Sequence, residues 1–349
     1  MDFNPMDRRN FLGIAGGALV CTIGGQKFRI DTKADLKKAN AAYPVPPKVA
    51  AARNDAPITK AAVAGPRREY WIKAEQRRWN VVPNKVDQMM NKKIRTKVTG
   101  KTTTGVFAYR PYSKDFAQPI GPATVPGPLL EAKVGETIVV HFQNECPLPV
   151  TMHPHGVFYS NEMDGAYKGK YTDPGGFVQR GRTVTYVWEC PEGTQGTWLY
   201  HDHGPFDPIP VFKGLFGPMV IRDPDEPLPD REYFLGFHSF LPGSNNPNLK
   251  QALYAINGKA YTGNTPTMTA KVGDDVAMHV YGIDNDFHTF HLHGHRWQEP
   301  DGNIVDNKVF GPGDSFRVRF IEDNPGRWLY HCHVFSHLAQ GMSGWYNVE

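Results

Sequence analysis

The sequence has no apolar run long enough to cross a bilayer, so it predicts no stable membrane anchor. Its formal net charge at pH 7 is only +4 over 349 residues, and no basic stripe suggests a nucleic-acid partner. Cysteine is also scarce, with four residues in the chain. Cys146 and Cys190 each end a predicted strand, and in an exported protein they could either form a disulfide or remain two buried thiols.

Glycine and proline, by contrast, are abundant, with 35 and 30 residues that separate many short apolar runs. Residues 136–142 and 182–188 are rich in β-branched and aromatic side chains, and residues 314–320 alternate with a period of two. Many short strands separated by turn-forming residues are typical of an all-β sandwich or Greek-key barrel. We therefore expect an all-β protein.

The sequence also contains an internal duplication. Residues 132–136 recur as residues 270–274, and residues 196–203 recur as residues 326–333. Two copies of one unit in a chain of this length predict two domains joined by a polar, proline-rich linker. The expected boundaries are 69–223 for the first domain, 224–231 for the linker and 232–349 for the second domain.

The C-terminal part of the chain carries the most specific motif. Cys332, His337 and Met342 follow a C-x4-H-x4-M spacing, which is that of a blue copper site with two His, one Cys and a weak axial Met. Such a site needs one more His from upstream. If Cys332 lies in a strand, its side chain points to one face while His331 and His333 point to the other. The thiolate of one copper site would then be joined by covalent bonds to ligands of a second.

Three further clusters contain alternating histidines, so both imidazoles of each H-x-H pair lie on one face of an extended chain. Imidazole suits copper, whereas zinc, which also binds H-x-H pairs, has no use for the C-x4-H-x4-M arrangement. The first copy of the duplication has Asp202 in place of Cys332 and Val150 in place of His288, so it cannot complete a blue site. The three clusters are His153 and His155, His201 and His203, and His288, His291, His293 and His295.

The four clusters, in this order, resemble those of the multicopper oxidase family, and the two-domain chain is similar to the bacterial small laccases. The resemblance covers about residues 69–349 and implies that both domains have the cupredoxin version of the Greek-key fold. It also implies four coppers per chain, one of type 1, one of type 2 and two of type 3. By this resemblance the type 1 ligands are His288, Cys332, His337 and axial Met342, and the type 2 ligands are His153 and His291. One type 3 copper is held by His155, His201 and His333, and the other is held by His203, His293 and His331.

The resemblance further implies a copper-dependent oxidoreductase that couples four one-electron oxidations at the type 1 copper to the reduction of dioxygen to water. The substrate would give up its electron through the exposed edge of His288 or His337. Asp164 lies where the small laccases carry an acid near the type 2 copper, and Tyr159 lies where they carry a tyrosine beside the cluster. Asp202 either orients the histidines on both sides of it or is a solvated remnant of the duplicated motif.

The sequence leaves the reductant open. A phenolic or other aromatic compound fits a laccase, and the alternative is a metallo-oxidase for Cu(I), Fe(II) or Mn(II). The chain lacks the methionine-rich insertion that Cu(I) oxidases of the family often carry. The acidic residues close in sequence to His288 keep iron oxidation open; they are Asp284, Asp286, Asp301 and Asp306.

Two other classes fit the motifs less well. A copper nitrite reductase is the more distant alternative, because that family places its blue copper in the first domain, whereas the blue motif here lies in the second. A simple electron carrier needs one blue copper and has no use for eight further histidines. Both classes differ from a multicopper oxidase in the number of coppers that each chain binds. Measuring the copper content therefore discriminates between the three classes.

At the N-terminus, Arg8 and Arg9 precede a moderately apolar, glycine-rich stretch, a pattern typical of a twin-arginine export signal. We expect a signal region at residues 1–30 and a flexible extension at residues 31–68, which are rich in alanine, lysine and proline. The expected location is periplasmic or extracellular.

Assembly is predicted from the division of the histidines between the domains. Each domain offers four cluster histidines, so two domains must meet face to face to complete one cluster. The linker of about nine residues spans at most roughly 30 Å when extended. Consecutive domains would more simply lie side by side and present their ligands to neighbouring chains, in a head-to-tail contact that closes into a ring. As in the small laccases, we expect a homotrimer; the alternative is a monomer with the cluster within one chain.

Overall fold

The computed structural model describes residues 19–23, 26–30, 65–171, 173–243 and 246–349. The twin-arginine motif lies outside these residues, as does most of the predicted extension. None of the described helices is long and apolar enough to cross a membrane. An N-terminal hairpin consists of β1 (Leu19–Ile23) and β2 (Gln26–Ile30).

The first domain consists mainly of two four-stranded sheets around a buried apolar core. Its strands are β3 (Arg67–Asn80), β4 (Val86–Asp87), β5 (Lys92–Lys93), β6 (Thr103–Tyr112), β7 (Leu130–Lys133), β8 (Thr137–Asn144), β9 (His153–Pro154), β10 (Thr183–Glu189), β11 (Gly196–His201) and β12 (Phe216–Arg222). One sheet has the order β10-β8-β3-β6, the other has the order β7-β12-β11-β9, and β4 and β5 form a separate hairpin. Alternate residues of β8, namely Ile138, Val140 and Phe142, point into the core between the sheets.

The second domain has the same design. Its strands are β13 (Arg231–Phe240), β14 (Leu253–Ile256), β15 (Thr267–Ala270), β16 (Asp275–Gly282), β17 (His288–Leu292), β18 (Trp297–Gln298), β19 (Ile304–Val305), β20 (Asn307–Phe310), β21 (Ser315–Ile321), β22 (Gly326–Cys332) and β23 (Ser343–Val348). The sheets have the orders β14-β13-β16-β21 and β15-β23-β22-β17-β20, and β18 and β19 form a separate pair. Val276, Met278 and Val280 of β16 fill its core.

The pairing scheme itself is duplicated. In the first domain β3 runs parallel to β8, β8 antiparallel to β10, and β7 parallel to β12. In the second domain β13, β16, β21, β15 and β23 repeat these three pairings in the same orientations. The predicted all-β fold with two cupredoxin-like domains is therefore confirmed. The helices among the described residues are short: α1 (Thr96–Thr99), α2 (Ile209–Phe212), α3 (Phe335–Ala339) and the 3-10 turns Lys114–Phe116 and Asn161–Met163.

The two domains share a third buried apolar cluster. It contains Val106 and Phe216 from the first domain and Phe240 and Tyr281 from the second. Full burial of one such side chain stabilises a protein by about 1.5–3 kcal/mol. This contact explains why β16 is buried on both faces, since Tyr281 points to the first domain while its neighbours point into the second-domain core.

Hydrogen bonds cross the same interface. Thr197 of the first domain donates its hydroxyl to Nδ1 of His279 at 2.6 Å, and His279 Nε2 lies 2.9 Å from Glu232 Oε1. Arg222 donates two hydrogen bonds of 2.8 Å to the Glu232 carboxylate. Burial is the largest cause of the lowered pKa of His279, so the imidazole is neutral at pH 7 and donates from Nε2. The network fixes how the domains lie against each other.

The predicted domain boundaries fall close to strand ends. β3 begins at Arg67, two residues before the expected start of the first domain. β12 ends at Arg222, and β13 begins at Arg231, the last residue of the expected linker. Glu226 of the linker accepts hydrogen bonds from Arg317 and Arg319 of β21 at 2.6–2.7 Å. These ion pairs hold the linker against the second domain.

Candidate metal centres

A buried Cys-His-His site lies inside the second domain. Cys332 ends β22, His288 begins β17, and His337 lies in α3. The Cys332 Sγ is 3.9 Å from His288 Nδ1 and 3.5 Å from His337 Nδ1. Met342 is buried next to them: its N–H donates to the His337 carbonyl oxygen at 3.0 Å, and its carbonyl oxygen accepts from the Cys332 N–H at 3.1 Å.

The surroundings of Cys332 favour the thiolate. Burial alone would raise its pKa, but hydrogen bonds with His288 and His337 and with the N–H of Thr289 outweigh burial and lower the pKa to about 6. The thiolate is the form of cysteine that binds metals. One thiolate, two imidazole Nδ1 atoms and an adjacent methionine make a donor set that fits a blue copper ion.

Four histidines of the first domain form a second group. β9 and β11 pair so that His153 lies opposite His201. The ligand nitrogens of His153, His155 and His201 lie within 4.8 Å of one another. The ring of His203 lies 5.2 Å from that of His153, and Asp207 Oδ2 is 3.3 Å from Nδ1 of His203.

The equivalent four histidines of the second domain form a third group. β17 and β22 pair so that His291 lies opposite His331, and these two and His293 have ligand nitrogens within 4.8 Å of one another. The His333 ring lies 5.4 Å from that of His291. His331 and Cys332 point to opposite faces of β22, as the alternation predicts, so the third group and the Cys-His-His site lie back to back.

A glycine follows His155 and His293, the second histidines of two H-x-H pairs at equivalent positions in the two domains. Gly156 has φ +73° and Gly294 has φ +71°, a left-handed conformation that other residues rarely adopt. A Cβ on Gly156 would lie 2.1 Å from the Trp198 ring, and one on Gly294 would lie 2.8 Å from the Trp328 ring. Glycine is therefore required where the chain turns away from each histidine pair.

Hydrogen bonds fix which nitrogen of these imidazoles is free. Burial, the largest cause, lowers the pKa of His201 to about 3 and those of His155 and His331 to about 4, so these rings are neutral at pH 7. Neutral imidazole with one nitrogen bonded to a carbonyl oxygen offers the other nitrogen to a metal. The Nδ1 atoms that lie 2.7–2.8 Å from carbonyl oxygens are those of His153, His201, His291 and His331.

The remaining nitrogens face one another. His155 Nε2 lies 3.1 Å from His201 Nε2, and His293 Nε2 lies 3.0 Å from His331 Nε2. Because the Nδ1 atoms of His201 and His331 carry their protons, the Nε2 atom of each presents a lone pair to the neighbouring Nε2 atom. This arrangement fits metal ligands.

One chain does not bring its eight cluster histidines together. In the described part of the chain, the ring contacts among these histidines all fall within one group of four or the other. His293 and His333 are exposed at the surface of the second domain. Each chain thus carries two half-sets of ligands.

Asp164 and Tyr159 both lie beside His153. The Asp164 Oδ1 atom is 3.2 Å from Nδ1 of His153, and Lys168 Nζ is 3.0 Å from the other carboxylate oxygen. The Tyr159 ring is 6.1 Å from the His153 ring. Burial, and then its interaction with the Asp164 carboxylate, raises the pKa of Tyr159.

Asp202 is fully buried at the position that corresponds to Cys332. Its Oδ1 accepts the N–H of Thr151 at 2.6 Å, as Cys332 Sγ accepts the N–H of Thr289 at 3.4 Å. Burial, the largest cause, raises the pKa of Asp202 to about 8. Cys146 and Cys190 are both buried free thiols in this structure, not a disulfide.

The expectation of an exposed imidazole edge is wrong for His288, whereas a small part of His337 does reach solvent. Only 0% and 6% of these residues is exposed. Asp284 Oδ1 lies 3.0 Å from Nε2 of His288, and the ring of Tyr254 stacks on His337 with 3.8 Å between ring centroids. The sequence offered Asp284 only as a member of an acidic group, and no motif pointed to Tyr254.

A two-domain cupredoxin fold that carries a Cys-His-His site and two groups of paired histidines defines a class of copper proteins. Family models described as multicopper oxidase match residues 122–226 and 238–349, together well over half of the chain. The chain therefore belongs to the multicopper oxidase family, whose members are copper oxidoreductases. The resemblance seen in the sequence is confirmed.

The individual relatives share less than a third of their aligned residues with this chain. The chain is 32% identical over 255 residues to a probable nitrite reductase-hydroxylamine oxidoreductase fusion protein of Kuenenia stuttgartiensis, which covers 65% of this chain and 28% of that protein. It is 26% identical over 346 residues to hephaestin of Mus musculus, covering 82% and 30%. The chain thus spans less than a third of these relatives' length. A blue copper oxidase structure from Nitrosomonas europaea has a similar fold, with a TM-score of 0.63, 23% identity and coverage of 81% and 86%.

Proposed function

We propose that the protein is a laccase-like oxidase that couples four one-electron oxidations of a reductant to the reduction of dioxygen to two waters. When bound, copper supplies the one-electron chemistry at the type 1 site and the reduction of dioxygen at a cluster of three ions. The observation that carries this proposal is the back-to-back arrangement of the Cys-His-His site and the His291 group on one strand pair.

The proposed ligands are those that the family resemblance implies. His331 and His333 are bonded through the backbone to Cys332, so the chain itself provides a short covalent route between the two kinds of site. The neutral, hydrogen-bonded imidazoles support this assignment, because their free nitrogens converge. We propose type 1 copper on His288, Cys332, His337 and Met342, type 2 copper on His153 and His291, and type 3 coppers on His155, His201 and His333 and on His203, His293 and His331, which makes four coppers per chain.

Asp164 is proposed to deliver protons to the cluster, and Tyr159 to lend an electron to it. The carboxylate of Asp164 lies against the ring of His153, and Lys168 holds its second oxygen. Tyr159 lies next to the same imidazole. Their positions beside one proposed type 2 ligand support both roles.

We also propose that the cluster forms between chains, in a homotrimer. The separation of the two half-sets within one chain supports this, because a second domain from another chain must supply the missing four ligands. Exposed apolar residues lie beside both half-sets: Phe335, 77% exposed, packs on His333, and Phe158, 64% exposed, precedes Tyr159. Exposed apolar surface of this kind is typical of an interface.

A metallo-oxidase for Fe(II), Cu(I) or Mn(II) is the second candidate. Its support is the 28% identity over 345 residues to ferroxidase HEPHL1 of Mus musculus, and the presence of Asp284 and Asp286 at the type 1 site. Asp301 bonds to Asn303 on a turn, so it offers no support. The nitrite reductase alternative has less support, since the blue site lies in the second domain.

For location, we propose export by the twin-arginine route to the periplasm or the extracellular space. The support is the Arg8-Arg9 motif and the apolar stretch that follows it in the sequence. Secretion assays with Arg8 and Arg9 both replaced by lysine test it. The proposal predicts that the variant stays in the cytoplasm, and unchanged export would contradict it.

Copper-loaded protein tests the function directly. Metal analysis should give about four coppers per chain with blue absorption, and oxygen uptake should be one dioxygen per four electrons with little peroxide. Rates with a phenol, Fe(II), Cu(I) and Mn(II), measured side by side, separate the laccase from the metallo-oxidase. One or two coppers in fully loaded protein would contradict an oxidase of this kind, and nitrite reduction without oxygen uptake would favour the reductase.

A further inference from the structure

The predicted type 1 site is almost completely closed to solvent. Cys332, His288 and Met342 are 0% exposed, and His337 is 6% exposed. His288 Nε2, the nitrogen that does not face Cys332, is already bonded to Asp284. A reductant in solution can therefore reach only a small part of His337, so a partly exposed residue that packs against this imidazole offers a larger contact surface.

Tyr254 occupies that position. Its ring stacks on His337 with a centroid separation of 3.8 Å and an interplanar angle of 17°, and it lies 6.5 Å from the His288 ring. Tyr254 is partly exposed, so it reaches from the imidazole to the surface. The strand pairing with Ser239 and the bond of its N–H to the Gln340 carbonyl oxygen at 3.1 Å fix its backbone.

The hydroxyl of Tyr254 is fixed as well. It donates to Asp286 Oδ2 at 2.8 Å, and the N–H of Asp286 donates to Asp284 Oδ1 at 3.0 Å. The same Asp284 oxygen faces His288, so a chain of hydrogen bonds joins Tyr254 to one type 1 imidazole while its ring covers the other. Both carboxylates are engaged in this chain. Phe287, next to Asp286, is 67% exposed and adds an aromatic surface.

We propose that Tyr254 is the residue through which reductants pass electrons to the type 1 site, and that it favours small aromatic reductants that stack against it. This inference rests on the proposed function. The reductant would lose one electron to a copper held by His288, Cys332 and His337, the proton that a phenol releases would go to water, and Tyr254 would be unchanged. Electron transfer slows steeply with the gap between donor and acceptor, and the stacked ring leaves no gap for water. Aromatic partners favour such offset contacts between rings.

Three variants at Tyr254 and one control variant, all of the copper-loaded full chain, test the proposal. Tyr254→Phe keeps the ring and removes only the hydroxyl, Tyr254→Leu and Tyr254→Met remove the ring, and Tyr233→Leu is the matched control. Tyr233 is also partly exposed and lies on β13 of the same sheet, where its hydroxyl bonds to the Thr269 carbonyl oxygen. The measurement is the rate at which the blue absorption bleaches when oxygen-free protein is mixed with a phenol, with copper content and the type 1 reduction potential as further readouts.

We expect Tyr254→Leu and Tyr254→Met to bleach on the order of tenfold more slowly with a phenol, because the reductant is no longer held in contact with the site. Tyr254→Phe should stay within about threefold of wild type, since it loses one hydrogen bond and no stacking. Tyr233→Leu should bleach at the wild-type rate, and the potential should be unchanged in all variants.

Wild-type bleaching rates in the two variants without the ring would overturn the proposal, as would an equal slowing in Tyr233→Leu. If both variants without the ring lose the blue absorption, Tyr254 supports the site structurally and the proposal is also wrong. A wild type without blue absorption would instead contradict the proposed function. The two failures are therefore distinguishable.

Discussion

Mixing two inactive variants tests whether clusters are shared between chains. His153→Ala removes a ligand from the first-domain group and His333→Ala removes one from the second-domain group, two groups that have no ring contact with each other in the described part of one chain. In a ring of mixed chains, a cluster is intact only when its first-domain half comes from a His333→Ala chain and its second-domain half from a His153→Ala chain. With equal amounts and random assembly, about one quarter of the clusters meet this condition.

The assay is oxygen uptake with a phenol, after the two chains are produced together and loaded with copper. We expect about a quarter of the wild-type rate per chain, and background from either variant alone. His153→Ala mixed with His155→Ala is the matched control, because both changes damage the same half and no arrangement restores a cluster. Background activity in trimers shown by native mass spectrometry to contain both chains would refute sharing, as would full wild-type activity in a monomer.

Three further outcomes are expected. Cys332→Ser should abolish the blue absorption and leave most of the other copper bound, and metal analysis showing loss of all copper would contradict separate sites. Asp164→Asn should slow turnover while the blue absorption is unchanged, and equal turnover across pH would remove Asp164 from the mechanism. Glu232→Gln should destabilise the protein by about 1–2 kcal/mol at pH 7, after solvent screening is allowed for. Burial would raise the pKa of Glu232, but bonds from His279 and Arg222 lower it to about 2, so the wild-type advantage is present above about pH 5 and is lost as the pH falls towards 2. Urea unfolding of both proteins at pH 7 and pH 3 measures it, and an equal difference at both would contradict the assignment.

Much of the fold could be predicted because strands have local signals. The expected strands at 136–142, 182–188 and 314–320 are observed with starts one residue later, as Thr137–Asn144, Thr183–Glu189 and Ser315–Ile321. The duplication then gave the two-domain design, and the C-x4-H-x4-M spacing located three residues that the structure brings together. Short-range spacing was sufficient in each case.

Contacts between distant segments could not be predicted. Tyr254 reaches His337 only because β14 pairs with β13 and α3 packs nearby, and no motif links the two residues. His279 belongs to no motif of the sequence, but packing of the domains gives it Thr197 as a partner. Asp284 carried some signal, since it lies four residues before His288. The nearly complete burial of both type 1 imidazoles depends on these contacts, so the loss of an exposed edge at His288 could not be predicted from short-range spacing.

The first domain retains the backbone of a blue copper site without its side chains. The N–H of Asp202 donates to the Leu215 carbonyl oxygen at 3.0 Å, and the N–H of Cys332 donates to the Met342 carbonyl oxygen in the same way. The first domain therefore has a carboxylate and a leucine where the second domain has the thiolate and the thioether. In the proposed ring, each cluster lies between one domain of each kind. Each cluster would then be next to a single Cys332. All the electrons that the cluster uses would have to pass through this one cysteine, one after another.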